Sequence, residues 1–176
     1  MKATGIVRRI DDLGRVVIPK EIRRTMRMRE GDPLEIFTSP GGELIFKKYS
    51  PMSEISENAG FFAAILNKEI GFPVLICDRD SAVAASGISK SLVSGKNISD
   101  DLEKILESRK PSKPKNDISP LESGETAMLF AAPVISEGDI AGAVVILKGE
   151  NEKPFTESDE RLAKTAAEFL SDKTCF

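Results

Sequence analysis

The chain has 176 residues, with 25 Lys and Arg against 28 Asp and Glu, giving a net charge of −3 and room for a small module joined to a mid-sized domain. It has no histidine and only two cysteines, Cys77 and Cys175, far apart in sequence; this argues against Ser-His-Asp or Cys-His catalysis, a histidine general base, and zinc, haem or iron–sulfur ligation. No apolar run reaches the roughly 18–20 residues of a transmembrane helix, and the N-terminus lacks an apolar signal core, so the expected setting is reduced and cytoplasmic, with no membrane partner.

Charge is unevenly distributed along the chain. Residues 1–50 hold eleven basic and seven acidic side chains, net +4, which leaves fourteen against twenty-one, net −7, for residues 51–176. A basic head on an acidic body suggests a polyanion-binding module attached to a domain with another task.

Residues 3–10, with β-branched Thr4, Ile6, Val7 and Ile10, read as a first strand, and residues 11–14 as a turn in which Gly14 supplies positive φ. Residues 16–18 read as a second strand. Pro19 suits the first position of a helix running to about Met26, with Ile22 and Met26 one turn apart on its buried side. A turn at 31–33, a strand at 34–38, a turn at 40–42 and a strand at 43–48 complete the head. Four short strands and one helical turn bury too little apolar surface to be stable alone, so the head is expected to be at least dimeric.

Ser50 and Pro51 read as the cap and first residue of a second helix. Along it Met52, Ile55, Ala59, Phe62 and Leu66 recur at spacings of 3 and 4, a seam that fits either packing on its own domain or a contact between subunits; Phe61 and Ile65 form a second apolar stripe. An intersubunit seam would make the protein a tetramer. Residues 74–77 and 83–85 read as strands about a turn at 78–80, and residues 100–107 as a helix. Residues 108–125, rich in Pro, Ser and Lys, read as a mobile loop. Residues 127–135 and 140–147 form the clearest hairpin, closed by 137–139. Thr156 and Asp159 make a capping box for a last helix lined on one face by Leu162, Ala166, Phe169 and Leu170. The expected divisions are 1–50, a connecting helix over 51–70, and an α+β domain with an antiparallel sheet over 71–176.

Within the head, Lys20 and Arg24 are four apart on the helix, as are Arg23 and Arg27, and like charges at that spacing repel. Arg8 and Arg9 end the first strand and Arg15 begins the second, so pairing through the 11–14 turn would gather them at one end of a hairpin. A solvated charged face is the bland reading. Recurrence in three elements without intervening partners favours an external polyanion, and arginine, seven of the eleven cations, suits phosphate and guanine edges.

The stretch from Thr4-Gly-Ile-Val-Arg-Arg-Ile through Gly14-Arg-Val-Val-Ile-Pro-Lys-Glu-Ile-Arg-Arg, with Gly31-Asp-Pro-Leu-Glu-Ile and Leu44-Ile-Phe-Lys-Lys-Tyr, strongly resembles the AbrB-type DNA-binding domain of bacterial transition-state regulators. The resemblance implies a swapped-hairpin β-barrel shared by two chains, with Arg8, Arg15, Arg23 and Arg24 facing double-stranded DNA. It leaves Arg9 a secondary contact, with Lys2 and Lys20 adding general attraction. Val74-Leu-Ile-Cys-Asp-Arg-Asp and Gly138-Asp-Ile-Ala-Gly-Ala-Val-Val-Ile are similar to sporulation regulators of this type, which implies a C-terminal GAF-like domain and a part in late sporulation gene expression within the forespore.

The expected function is therefore a DNA-binding transcription regulator, activator and repressor, with no catalytic residues, cofactor or metal. Its second domain serves oligomerisation and the sensing of an unidentified small-molecule effector. The alternatives are an antitoxin whose acidic C-terminal region wraps a toxin, and an enzyme with an unrecognised carboxylate pair. Periodic strands and capped helices beyond residue 51 argue against a disordered toxin-wrapping tail.

Overall fold

A computed structural model describes residues 5–50, 52, 56–93, 95–150 and 153–174. Its contacts divide the chain into two units, Met1–Tyr49 and Ser50–Phe176. The first contains helix α1 (Lys20–Thr25) and strands β1 (Leu34–Thr38) and β2 (Leu44–Lys48), which pair antiparallel with Leu34 opposite Lys48. In the second unit, helix α2 (Ser56–Ile70) precedes strands β3 (Val74–Asp78) and β4 (Ala82–Ser86), then helix α3 (Asp100–Glu107). Strands β5 (Met128–Ser136) and β6 (Asp139–Leu147) follow, and helix α4 (Glu157–Thr174) closes the unit.

The four strands of the second unit form one antiparallel sheet in the order β4-β3-β6-β5. Its central strands are apolar on both faces because both faces are covered. Val74 and Ile76 of β3, with Val144 and Ile146 of β6, pack against Ala59, Ala63 and Leu66 of α2 and Ala163, Ala166 and Leu170 of α4. The alternate residues Leu75, Cys77, Ala143, Val145 and Leu147 pack against Leu102 and Leu106 of α3 and against Val93, Ile98 and Leu121. The period of two along each strand thus separates two apolar layers. Burial, and then the charge of Asp78, push the Cys77 thiol up to about 12, so it remains protonated and acts as a small apolar side chain.

Gly142 of β6 lies opposite Asp78 of β3, and a Cβ placed on it would collide with the Cys77 carbonyl oxygen. The obstruction is backbone in the middle of a sheet and cannot swing aside. Gly142→Ala is therefore expected to destabilise the second unit by about 2–3 kcal/mol, read as a fall in the urea midpoint of full-length protein. An unchanged midpoint would show that β3 and β6 are not this close.

The capping box forms as expected. The Asp159 carboxylate accepts from the Thr156 N–H and hydroxyl, each at 2.8 Å, while the Thr156 hydroxyl accepts from the Asp159 N–H at 3.4 Å. The 127–147 hairpin, the strands near 74–77 and 83–85 and the helix at 100–107 also form, with ends shifted by at most a residue or two.

Other expectations are corrected. Residues 5–10 and 16–18 form no strand, since beyond the 11–15 turn neither segment finds a ladder partner among the described residues of its own chain; Thr4 and the start of that segment lie outside the described residues. Pro19 is the N-cap of α1 rather than its first residue, and Met26 is exposed. Of the two readings left open for the 52–66 seam, packing on its own domain is the one seen: Met52, Ala59 and Leu66 are buried and Phe62 packs beside them in the core of their own unit; Ile55 and Pro51 lie outside the described residues. The stripe left bare is Phe61 and Ile65, 72% and 61% exposed. On α4 the buried face is Ala163, Ala166, Ala167 and Leu170, while Leu162 and Phe169 are 42% and 43% exposed, because the eighteen-residue helix turns its 163/166/170 stripe to the sheet. The 108–125 segment is tied down: Ser112 exchanges two 2.9 Å backbone hydrogen bonds with Ala131, Ser99 N–H donates to Pro120, and Leu121 is buried. Its composition suggested mobility, but these long-range hydrogen bonds hold it.

No helix among the described residues is long and apolar enough to cross a membrane.

Candidate nucleic-acid interface

The turn that follows Arg8 and Arg9 is built by Asp11. Its N–H donates to the Arg15 carbonyl at 3.0 Å, and its own carbonyl accepts from Gly14 N–H at 3.0 Å. Asp11 Oδ1 accepts from the N–H groups of Leu13, at 3.1 Å, and Arg15, at 2.7 Å; Oδ2 accepts from Arg15 Nε at 2.8 Å. Gly14, at φ +76°, supplies the left-handed residue that the turn requires. The Arg15 N–H, and next its guanidinium, hold the Asp11 carboxyl below its ordinary range. Both partners are well exposed, so this pair orients Arg15 more than it stabilises the fold.

Helix α1 carries Arg23 and Arg24 in its last turn, where the helix dipole favours cations. Arg23 Nε donates back to the Ile18 carbonyl at 3.2 Å, which ties the side chain to the segment that enters the helix. The helix ends with Met28 N–H donating to Arg23 at 2.7 Å and Arg27 N–H to Arg24 at 3.2 Å, with Arg27 at φ +50°. This is the paired C-terminal hydrogen-bond pattern usually completed by glycine.

All five expected contact residues, Arg8, Arg9, Arg15, Arg23 and Arg24, are exposed. The turn brings Arg15 to Asp11, and α1 carries Arg23 beside Arg24. Among the described residues no hydrogen bond or ion pair joins the turn to the helix. Among the described residues, the side chains of Arg8, Arg9 and Arg24 have neither hydrogen bond nor ion pair. Lys2 lies outside the described residues, and Lys20 is exposed. Lys48, by contrast, is structural. Its Nζ donates to the Arg27 carbonyl at 2.9 Å and sits 3.5 Å from Asp32, which also accepts from Arg29 N–H. Sequence reasoning counted it among the basic head without seeing this, because its partners are sixteen and twenty-one residues away.

Residues 54–174 match the family model described as stage V sporulation protein T C-terminal, transcription factor. Residues 7–53 match the model described as antidote-toxin recognition MazE, bacterial antitoxin. The stage V sporulation protein T of Bacillus subtilis (strain 168) is 47% identical over 183 residues, covering 97% of this chain and 97% of that protein. The transition state regulatory protein AbrB of the same organism is 57% identical over 51 residues, 29% of this chain and 52% of that protein. Among solved structures, the GAF domain/HD domain protein from Geobacter sulfurreducens superposes with a TM-score of 0.54 at 15% identity, over 73% of this chain and 96% of that one, a likeness of fold.

Proposed function

This chain belongs to the stage V sporulation protein T family of sporulation transcription regulators, and we propose that it binds double-stranded DNA through Arg8, Arg15, Arg23 and Arg24, with Arg9 in support. The observation that carries the reading is the exposure of unpartnered Arg8, Arg9 and Arg24 in a segment of net charge +4. Arginines without internal partners are stabilised by phosphate oxygens and guanine edges supplied from outside.

The binding unit in this reading is a dimer of residues 1–50. Ile6, Val7, Ile10, Leu13, Val16 and Val17 are exposed in the single chain, and Pro19 is the only buried residue among the described residues of the first unit. Such a segment gains a core when a second chain supplies the missing strands. Pairs of dimers then join through α2 and α4 into a tetramer. Residues 71–176, with the 51–70 helix packed on them, tune DNA affinity in response to a small molecule. The protein acts without catalysis, in the cytoplasm on the nucleoid of the forespore, as activator and repressor.

An antitoxin reading draws on the match of residues 7–53 alone. The folded four-stranded unit that follows does not suit a toxin-wrapping tail.

Affinity for promoter fragments against salt tests the DNA reading. Eight arginines per dimer, four from each chain, set an expected slope of log affinity against log salt of about −7, at ~0.9 per neutralised phosphate. A slope near zero, or no retention of promoter DNA at low salt, would remove it.

A further inference from the structure

The second unit has a cavity of about 190 Å³, partly open to solvent, between Ile88, Leu92, Val93 and Lys96 on one side and the 119–126 turn on the other. That volume has room for one small molecule. Its apolar wall includes Leu92, Val93, Leu121 and Leu147, the last three buried. Its polar edge includes Lys96, Glu125 and Thr126.

The charges decide what fits. Half-buried Lys96 and exposed Glu125 line one cleft, yet among the described residues neither side chain is hydrogen-bonded or ion-paired, to the other or to anything else. One cation and one anion balance, so a phosphate dianion would gain from Lys96 and lose against Glu125. A purely apolar ligand would strip water from the half-buried Lys96 and return nothing. A small zwitterion with an apolar tail meets every requirement, its carboxylate toward Lys96, its ammonium toward Glu125 and its tail on the leucine and valine wall. We infer that this cavity binds a free apolar α-amino acid, an inference that rests on the effector-binding reading of this unit.

The turn that carries Glu125 is already in place. Ser99 N–H donates to Pro120 at 2.9 Å, Glu122 N–H donates to Asn97 at 3.0 Å, and Asn97 Nδ2 donates to Glu122 Oε2 at 3.1 Å. Ser123 sits at φ +55°, a left-handed position that non-glycine residues rarely hold. Gly124 is packed so closely that a Cβ would collide with the Ser119 hydroxyl. A preorganised turn lowers the ordering cost of binding, which matters for a ligand this small. Thr126, whose side chain has no hydrogen-bond partner among the described residues, adds a hydroxyl at the same edge.

The test is titration calorimetry on full-length protein with L-leucine, L-isoleucine, L-valine and L-methionine. The comparison ligands are 4-methylpentanoate, which lacks the ammonium, and 3-methylbutylamine, which lacks the carboxylate. At least one amino acid is expected to bind saturably with a Kd between roughly 10 µM and 1 mM, and both truncated analogues at least tenfold more weakly. Glu125→Gln and Lys96→Met should each weaken amino-acid binding about tenfold while the thermal midpoint of ligand-free protein stays put. The inference is overturned if none of the four amino acids binds, if either analogue matches leucine, or if both variants keep wild-type affinity. Promoter affinity is measured in parallel. A shift caused by a cyclic nucleotide but by no amino acid would overturn this inference and keep the effector reading. Amino-acid binding without any change in promoter affinity would do the reverse.

Discussion

Arg24→Glu is expected to lower affinity for promoter DNA by about 100-fold or more at physiological salt. The side chain is exposed on the last turn of α1 and, among the described residues, has no partner to lose. Its removal therefore leaves no buried group unsatisfied. A charge-assisted hydrogen bond is worth about 1.5–3 kcal/mol, and a dimer loses two of them while gaining two repulsive carboxylates. Glutamate at a helix C-terminus costs the fold a few tenths of a kcal/mol through the dipole, far less than the binding loss. Arg15→Glu would be a poorer probe, because it also breaks the Asp11 contact and sets two carboxylates side by side in the turn. The measurements are fluorescence anisotropy on a labelled promoter fragment and light scattering of the same preparation. The salt slope should fall by about 2, one phosphate per chain at ~0.9 each, while the mass stays constant. Affinity within threefold of wild type would take Arg24 out of the interface.

What the sequence disclosed follows from how local each determinant is. The 127–147 hairpin and the Thr156–Asp159 box were legible because their partners lie within a few residues. Strand alternation in Val74–Asp78 hid the two-layer core, since a run buried on both faces shows no polar phase. The Pro- and Lys-rich 108–125 segment looked unfit to order itself, and composition could not reveal its hydrogen bonds to Ala131 and to Ser99. Residues 3–10 and 16–18 read as strands from β-branching, yet among the described residues one chain supplies them no ladder, and β-branching alone cannot show a missing partner strand. The arginines of the head were visible because they recur within a short stretch of sequence. The cavity charges were not, since Lys96 and Glu125 are single residues twenty-nine apart with ordinary neighbours. The seam at 52–66 was located correctly and its direction left open; burial of Met52, Ala59 and Leu66 assigns those residues to the core of their own unit.

That assignment moves the proposed tetramer contact to the opposite stripe. Phe61→Glu with Ile65→Glu is expected to split a tetramer into dimers and leave the second unit folded. The two side chains are one helical turn apart and exposed, so neither substitution buries a carboxylate. Leu162 and Phe169 add exposed apolar surface on α4, which lies beside α2 through the stacked rings of Phe62 and Phe169, centroids 4.6 Å apart. Two packed helices that both show aromatic and aliphatic side chains outward are the arrangement that a second helix pair covers. At a covered interface, four glutamates for each pair of chains would be desolvated without partners, at about 1–3 kcal/mol or more each, enough to undo association at micromolar concentration. Leu66→Glu is the contrasting substitution. It puts a carboxylate against the sheet core, and it should lower the thermal midpoint sharply whatever the oligomeric state. Light scattering and thermal unfolding on both variants separate the cases. A halved mass with an unchanged midpoint for the Phe61/Ile65 variant supports the contact, and wild-type mass for that variant leaves α2 and α4 without a role in assembly.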